Sequence, residues 1–139
     1  MSMLHLTYQV PGDDFTRAGE ASGDVKHKLK KLGYEPDAVR RVSIAMYEGE
    51  INMVIHAQGG EITVSITPEK IVMVLADVGP GIPDVELAMR AGYSTAPDAI
   101  RSLGFGAGMG LPNMKKYTDE MNIDTTVGVG TTITMVVNL

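Results

Sequence analysis

Apolar and polar residues alternate from Leu4 to Val10, with Leu4, Leu6, Tyr8 and Val10 on one face until Pro11-Gly12 stops the run, and a period of two predicts a strand. The period then lengthens. Phe15, Ala18, Ala21, Val25, Leu29 and Leu32 recur at helical spacing as far as Gly33, which stands where a C-cap belongs. This predicts a helix over 13–32, with Gly19 and Gly23 as its weak points. Between Pro36-Asp37 and Gly59-Gly60, Val39, Val42, Ala45, Met46, Met53 and Val54 repeat at steps of three and four, so a second helix is predicted from 36 to about 57.

Two short runs rich in Val and Ile follow, Glu61 to Thr67 and Lys70 to Asp77, joined by Pro68-Glu69; they predict a hairpin. Its second strand, Ile71 to Ala76, is apolar without alternation, the pattern of a strand covered on both faces. A short helix is predicted over 84–90, an aperiodic segment over 92–108, a helix over 111–121, and two last strands over 122–127 and 132–137 around Gly128-Val129-Gly130. Such an order does not repeat the crossovers of a parallel sheet. It predicts an α+β fold, a two-layer sandwich in which a mixed, mostly antiparallel sheet carries helices on one face.

Composition narrows the function. With 139 residues, 44% of them hydrophobic and 21% charged, the chain is expected to form one globular domain over 1–139, and no run approaches the roughly 20 apolar residues of a membrane span. Seventeen acids against twelve bases give a net charge of -5, which repels a phosphate backbone, so nucleic acid is not an expected partner. The chain has no cysteine, which removes disulfides, thiolate catalysis and thiolate zinc sites. No basic segment followed by an apolar run opens it, and a cytoplasmic location is expected.

Four clusters carry candidate chemistry. In the second helix Glu48 and Asn52 are four apart and share a face, whereas Glu50 is about 200° round from Glu48 and cannot share its target. A Glu50→Gln change is accordingly expected to do little. Alone, an E-x-x-x-N pair is more often a surface hydrogen bond. Asp77-Val78-Gly79-Pro80-Gly81 puts a carboxylate at the end of an apolar strand, followed by glycines that admit a ligand to the backbone. A plain turn looks similar, yet a carboxylate there can accept a hydrogen bond from an adenine amine. Gly104, Gly106, Gly108 and Gly110 stand at every second residue before the predicted helix at Leu111. That backbone can wrap phosphates or be merely a loop, and it is neither a Rossmann fingerprint nor a P-loop. Gly128-Val129-Gly130-Thr131-Thr132 is by itself a hairpin turn.

In this order and spacing the four clusters resemble the N box and the three glycine boxes of the GHKL, or Bergerat-fold, ATPase superfamily, over residues 36–139, and the N-terminal strand and helix fit the same pattern. The stretches Asp77 to Met89, Gly92-Tyr93-Ser94-Thr95 and Gly110 to Lys116 are most similar to its small anti-sigma factor and switch serine/threonine kinase branch, although Ala96 to Leu103 is longer than usual there. The resemblance implies ATP and Mg²⁺ as cofactors. Glu48 becomes the catalytic base, Asn52 a Mg²⁺ ligand, and Asp77 with Gly79 and Gly81 the adenine-binding group, supported by Thr131 or Thr132. Gly104, Gly106, Gly108, Gly110 and Leu111 form a glycine-rich lid over the phosphates. Implied partners are a STAS-domain antagonist as substrate, with a sigma factor or a PP2C-type phosphatase; monomer and homodimer are both left open. Alternatives are a nucleotide-gated binding module with little kinase activity and a detached histidine-kinase ATP-binding domain. His5, His27 and His56 are assigned no chemistry, Ser94 and Thr95 are read as polar lid residues, and the ten methionines as core filler.

Overall fold

The computed structural model of the chain describes residues 4–12, 17–55, 57–82, 84–89 and 110–139. Its elements are β1 (Leu4–Pro11), α1 (Glu20–Lys31), α2 (Pro36–Ile55), β2 (Gly59–Ile66), β3 (Lys70–Asp77), α3 (Val85–Ala88), α4 (Gly110–Lys116), β4 (Glu120–Thr126) and β5 (Gly130–Asn138). The strands form one sheet in the order β1-β2-β3-β5-β4, and each of its four pairings is antiparallel.

Alternation along the strands sorts the two faces. Ile62, Val64 and Ile66 of β2, Ile71, Met73 and Leu75 of β3, and Ile133, Met135 and Val137 of β5 are buried in a single core with Val25 and Leu29 of α1, Val42, Met46 and Met53 of α2, and Met114 of α4. Each such apolar side chain contributes about 1.5–3 kcal/mol on burial, and this joint core seats all three helices on the same face. Met46, Met53, Met73, Met114 and Met135 are fully buried, so methionine does fill the core, where its flexible side chain suits irregular gaps.

Three expectations need correction. The strand at 71–76 is not covered on both faces: Ile71, Met73 and Leu75 are buried, but Val72, Val74 and Ala76 are only partly so. Its apolar outer side reflects a central position in the sheet, where neighbouring strands shelter β-branched side chains. The first helix begins at Glu20, because Gly19 adopts a left-handed φ of 95° just before it; residues 13–16 lie outside the described part. The last helix stops at Lys116 and β4 begins at Glu120. Thr118 donates from its hydroxyl to the Met114 carbonyl at 2.7 Å, and Met121, apolar at helical spacing, instead pairs with Met135 across the sheet.

Candidate functional site

The middle of α2 is pressed hard onto its neighbours. A Cβ on Gly49 would lie 2.3 Å from Leu75 Cδ2 and 3.4 Å from Met114 Sδ, so only glycine lets α2 sit this close to β3 and α4. Glu48 and Glu50 leave the helix on either side of that contact, about 200° apart.

Glu48 is half-buried. Desolvation pushes its carboxyl above the usual glutamate value, and a hydrogen bond from the Asn113 side chain of α4 opposes the shift. One turn on, Asn52 lies against the first residue of α4: a Cβ on Gly110 would come within 3.0 Å of Asn52 Nδ2 and 3.2 Å of its Oδ1. Glycine at 110 therefore keeps backbone and amide in contact. Leu111 is 8% exposed and belongs to the core, so its side chain is not available to a ligand. Asn113 is a candidate site residue to which the sequence pattern assigns no role; its spacing of three from Gly110 is informative only once α4 is known to lie along α2.

Asp77 closes β3 on the helix-covered face of the sheet. It too is half-buried and its carboxyl is pushed upward by desolvation, opposed by the Thr131 backbone N–H, which donates to Oδ1 at 2.9 Å. Thr131 is 5% exposed, and its hydroxyl is engaged with that of Thr125 at 2.9 Å, so its support for Asp77 comes from the main chain. Thr132 pairs with Ala76 and points to the opposite face; the structure does not bring it to Asp77.

The glycines after Asp77 are zipped to the β4–β5 hairpin. Gly79 N–H donates to the Val129 carbonyl at 3.1 Å and Gly128 N–H to that of Pro80 at 2.9 Å, while Ile82 N–H donates to Thr125 Oγ1 at 2.8 Å. Gly81 has φ 77° and would place a Cβ 2.6 Å from the Thr126 carbonyl oxygen, so glycine is required there on both counts. Two clusters result, Asp77 with Thr131 and Glu48 with Asn52, Gly110 and Asn113, joined through the Leu75–Gly49 contact. Gly104, Gly106, Gly108, His56, Ser94, Thr95 and the stretch 96–103 lie outside the described residues.

Glu50 is a different matter. It was expected to be an indifferent position, yet it is 2% exposed and accepts three backbone hydrogen bonds from the start of α1, Gly19 and Ala21 to Oε2 at 3.0 and 3.1 Å and Ser22 to Oε1 at 3.0 Å. The helix has no side-chain cap from its own N-cap residue; Glu50 supplies one from α2.

A helix-borne carboxylate and amide beside a glycine-started helix, with a strand-end aspartate held by the neighbouring strand, on a sheet with helices on one side, define a class. The chain belongs to the histidine kinase-like ATPase domain family, whose pattern it matches over residues 15–137. Among individual proteins, the serine/threonine-protein kinase RsbT of Bacillus subtilis (strain 168) is 30% identical over 112 residues, spanning 78% of this chain and 78% of its own length. The anti-sigma F factor of the same organism is 30% identical over an alignment of 144 positions, spanning 98% of this chain and 92% of its own length. That of Clostridium novyi (strain NT) is 32% identical over 113, with 77% and 76% covered.

Proposed function

We propose that this chain is an ATP- and Mg²⁺-dependent protein serine/threonine kinase of a bacterial partner-switching circuit, acting on a hydroxyl of a small STAS-domain antagonist. Asp77 accepts a hydrogen bond from the adenine 6-amino group and excludes the guanine carbonyl by facing it acceptor to acceptor. Asn52 offers an amide oxygen in a cradle that a Cβ on Gly110 would fill, which fits a hard cation held by one or two protein oxygens and by phosphate. When bound, that cation neutralises charge developing on the phosphates.

Glu48 accepts the proton of the partner's Ser or Thr hydroxyl. The hydroxyl oxygen forms its bond to the γ-phosphorus as the bond from phosphorus to the ADP oxygen breaks, and the electron pair leaves with ADP. A partly desolvated carboxylate suits this step, because its raised pKa makes it a stronger base than a free glutamate. Asn113 holds that carboxylate in place from α4. The observation carrying this reading is the half-buried Glu48 set one turn from Asn52 and against the first turn of α4.

The test is transfer of radiolabelled phosphate to a cognate STAS protein alongside calorimetric nucleotide binding. Glu48→Gln is expected to cut transfer at least about 10²-fold while ATP·Mg²⁺ affinity stays nearly intact; a parallel loss of affinity overturns the assignment. The similarity to the Bacillus subtilis anti-sigma F factor spans 98% of the chain, which supports a second role in sequestering a sigma factor, one that survives Glu48→Gln.

A further inference from the structure

We infer that the end of the helical layer remote from the nucleotide site docks an acidic, amphipathic segment of a partner protein. This goes beyond the kinase reading and does not rest on it. Helix direction creates the surface. Gly19 at the start of α1 meets Glu50 late in α2, and Gly110 at the start of α4 meets Asn52. Arg41, early in α2, meets the Tyr117 carbonyl and the Asp119 carboxylate just past α4. Both α1 and α4 thus run antiparallel to α2, and their last turns gather round its first.

Charge follows the geometry. The second half of α1 carries Lys26, Lys28, Lys30 and Lys31, α2 adds Arg40 and Arg41, and α4 ends in Lys115-Lys116. Eight of the twelve Lys and Arg therefore stand at one end of a chain whose net charge is -5. Five carboxylates lie among them, Asp24, Glu35, Asp37, Asp119 and Glu120. Three of these already face a cation: Asp24 lies 2.6 Å from Lys28, Asp37 3.5 Å from Arg40 and Asp119 2.9 Å from Arg41. Lys26, Lys30, Lys31, Lys115 and Lys116 are exposed and have no ion pair among the described residues. Lysines in a last turn offset the helix dipole, but that accounts for a charge or two at each helix and not for a field shared by three.

Two apolar features sit in this field. The Tyr117 ring has the Arg40 guanidinium 5.5 Å and the Lys116 ammonium 5.4 Å from its centre, and Leu32, just past α1, is 57% exposed. Two cations on one aromatic ring, together with an exposed leucine at the end of α1, match a partner segment bearing carboxylates around apolar side chains. A nucleic acid would meet the interleaved carboxylates and the chain's net negative charge, and a bilayer needs a broader apolar face than one leucine. Arg41 precedes Glu48 by seven residues, about 10 Å along the helix, so a partner can be held here while the transfer site stays open.

The probe is a fluorescein-labelled synthetic helical peptide with glutamate on one face and leucine on the other, titrated into the full nucleotide-free chain by anisotropy. Binding should weaken steeply as salt rises toward 0.15 M, where the Debye length is about 8 Å. Lys116→Glu and, separately, Lys30→Glu should each weaken it about tenfold or more. Arg17→Glu, just before the start of α1 at the opposite end of the helical layer, makes the same change in net charge and should leave binding within about twofold. Nucleotide affinity is expected to be unchanged in all three, which shows that each variant is folded and keeps this test independent of the kinase reading. The proposal is overturned by no peptide binding, by equal losses in Arg17→Glu and Lys116→Glu, or by tighter binding to a DNA duplex or to vesicles of phosphatidylserine and phosphatidylcholine.

Discussion

Glu48 and Glu50 lie two residues apart on α2 and meet opposite environments. Glu50 is almost wholly buried and has three main-chain donors, so its charge is spread over the first turn of another helix and nothing is left to react. Glu48 is only half-buried, has lost part of its hydration and is offered one side-chain donor, so its carboxyl is pushed upward. The more deeply buried acid is the structural one. Burial by itself is a poor guide to reactivity; incomplete compensation at a solvent-facing position is the better sign.

Pairwise substitution breaks this comparison most sharply. Glu48→Gln should cost at least about 10² in phosphotransfer with stability intact, whereas in Glu50→Gln activity per folded molecule should be nearly normal. Comparable losses per folded molecule would show that the two acids work as a unit. Stability should reverse the ranking. Glu50→Ala leaves three N–H groups, two of them buried, without their acceptor, and at about 1 kcal/mol or more for each it should lower the unfolding free energy by roughly 2–4 kcal/mol, with Glu50→Gln intermediate because one oxygen survives. Chemical denaturation measures both, and a neutral Glu50→Ala would refute the capping role.

Asp77 extends the comparison to the other cluster. It shares with Glu48 a half-buried carboxyl raised by desolvation and one opposing donor, so it should be functional in the same sense. Asp77→Asn keeps an acceptor for Thr131 and can turn an N–H toward a carbonyl, so the preference for ATP over GTP should fall by about tenfold with little change in folding. Paired dissociation constants decide it: an unchanged ratio would assign Asp77 to the turn alone.

The smallest effects are in pH dependence. Removing the Asn113 donor takes away what holds the Glu48 pKa down, so Asn113→Ala should move the acid limb of the kcat/KM profile to higher pH, since the base works only when ionised. A limb that stays put would detach Asn113 from the base. For stability the sign is the reverse of a salt bridge. A carboxyl whose folded pKa exceeds its unfolded one disfavours folding once ionised, so the cost is absent in acid and grows as pH rises through the glutamate range. Glu48→Gln should therefore be slightly more stable than the native chain at neutral pH, by well under about 1 kcal/mol given its exposure, and equal to it near pH 3. Melting temperatures at the two pH values test the crossover.

Sequence periodicity reached as far as local physics goes. It placed α2 and the shared face of Glu48 and Asn52, and it found the β2–β3 hairpin, because burial against one core imposes a period on each element. What it missed depended on residues distant in the chain. The start of α1 is fixed by Glu50, 28 to 31 residues away. Choosing between Thr131 and Thr132 needs the register that pairs Ala76 with Thr132. Asn113 meets Glu48 only because α4 lies along α2, and Met121 fits a helix until Met135 claims it for the sheet.

The cap that α2 lends to α1 also orders the assembly of the fold. α1 has a left-handed Gly19 before it, no local side-chain cap and Gly23 within it, and at 12 residues a helix of this length is marginal on its own in water. Before packing, its first-turn N–H groups have only water as acceptor, so α1 is expected to complete its first turn as it docks on α2, with a low φ-value for Glu50→Gln as the check. In native-state hydrogen exchange the amides of Gly19, Ala21 and Ser22 should open together with the α1–α2 contact rather than fray as a free helix end does.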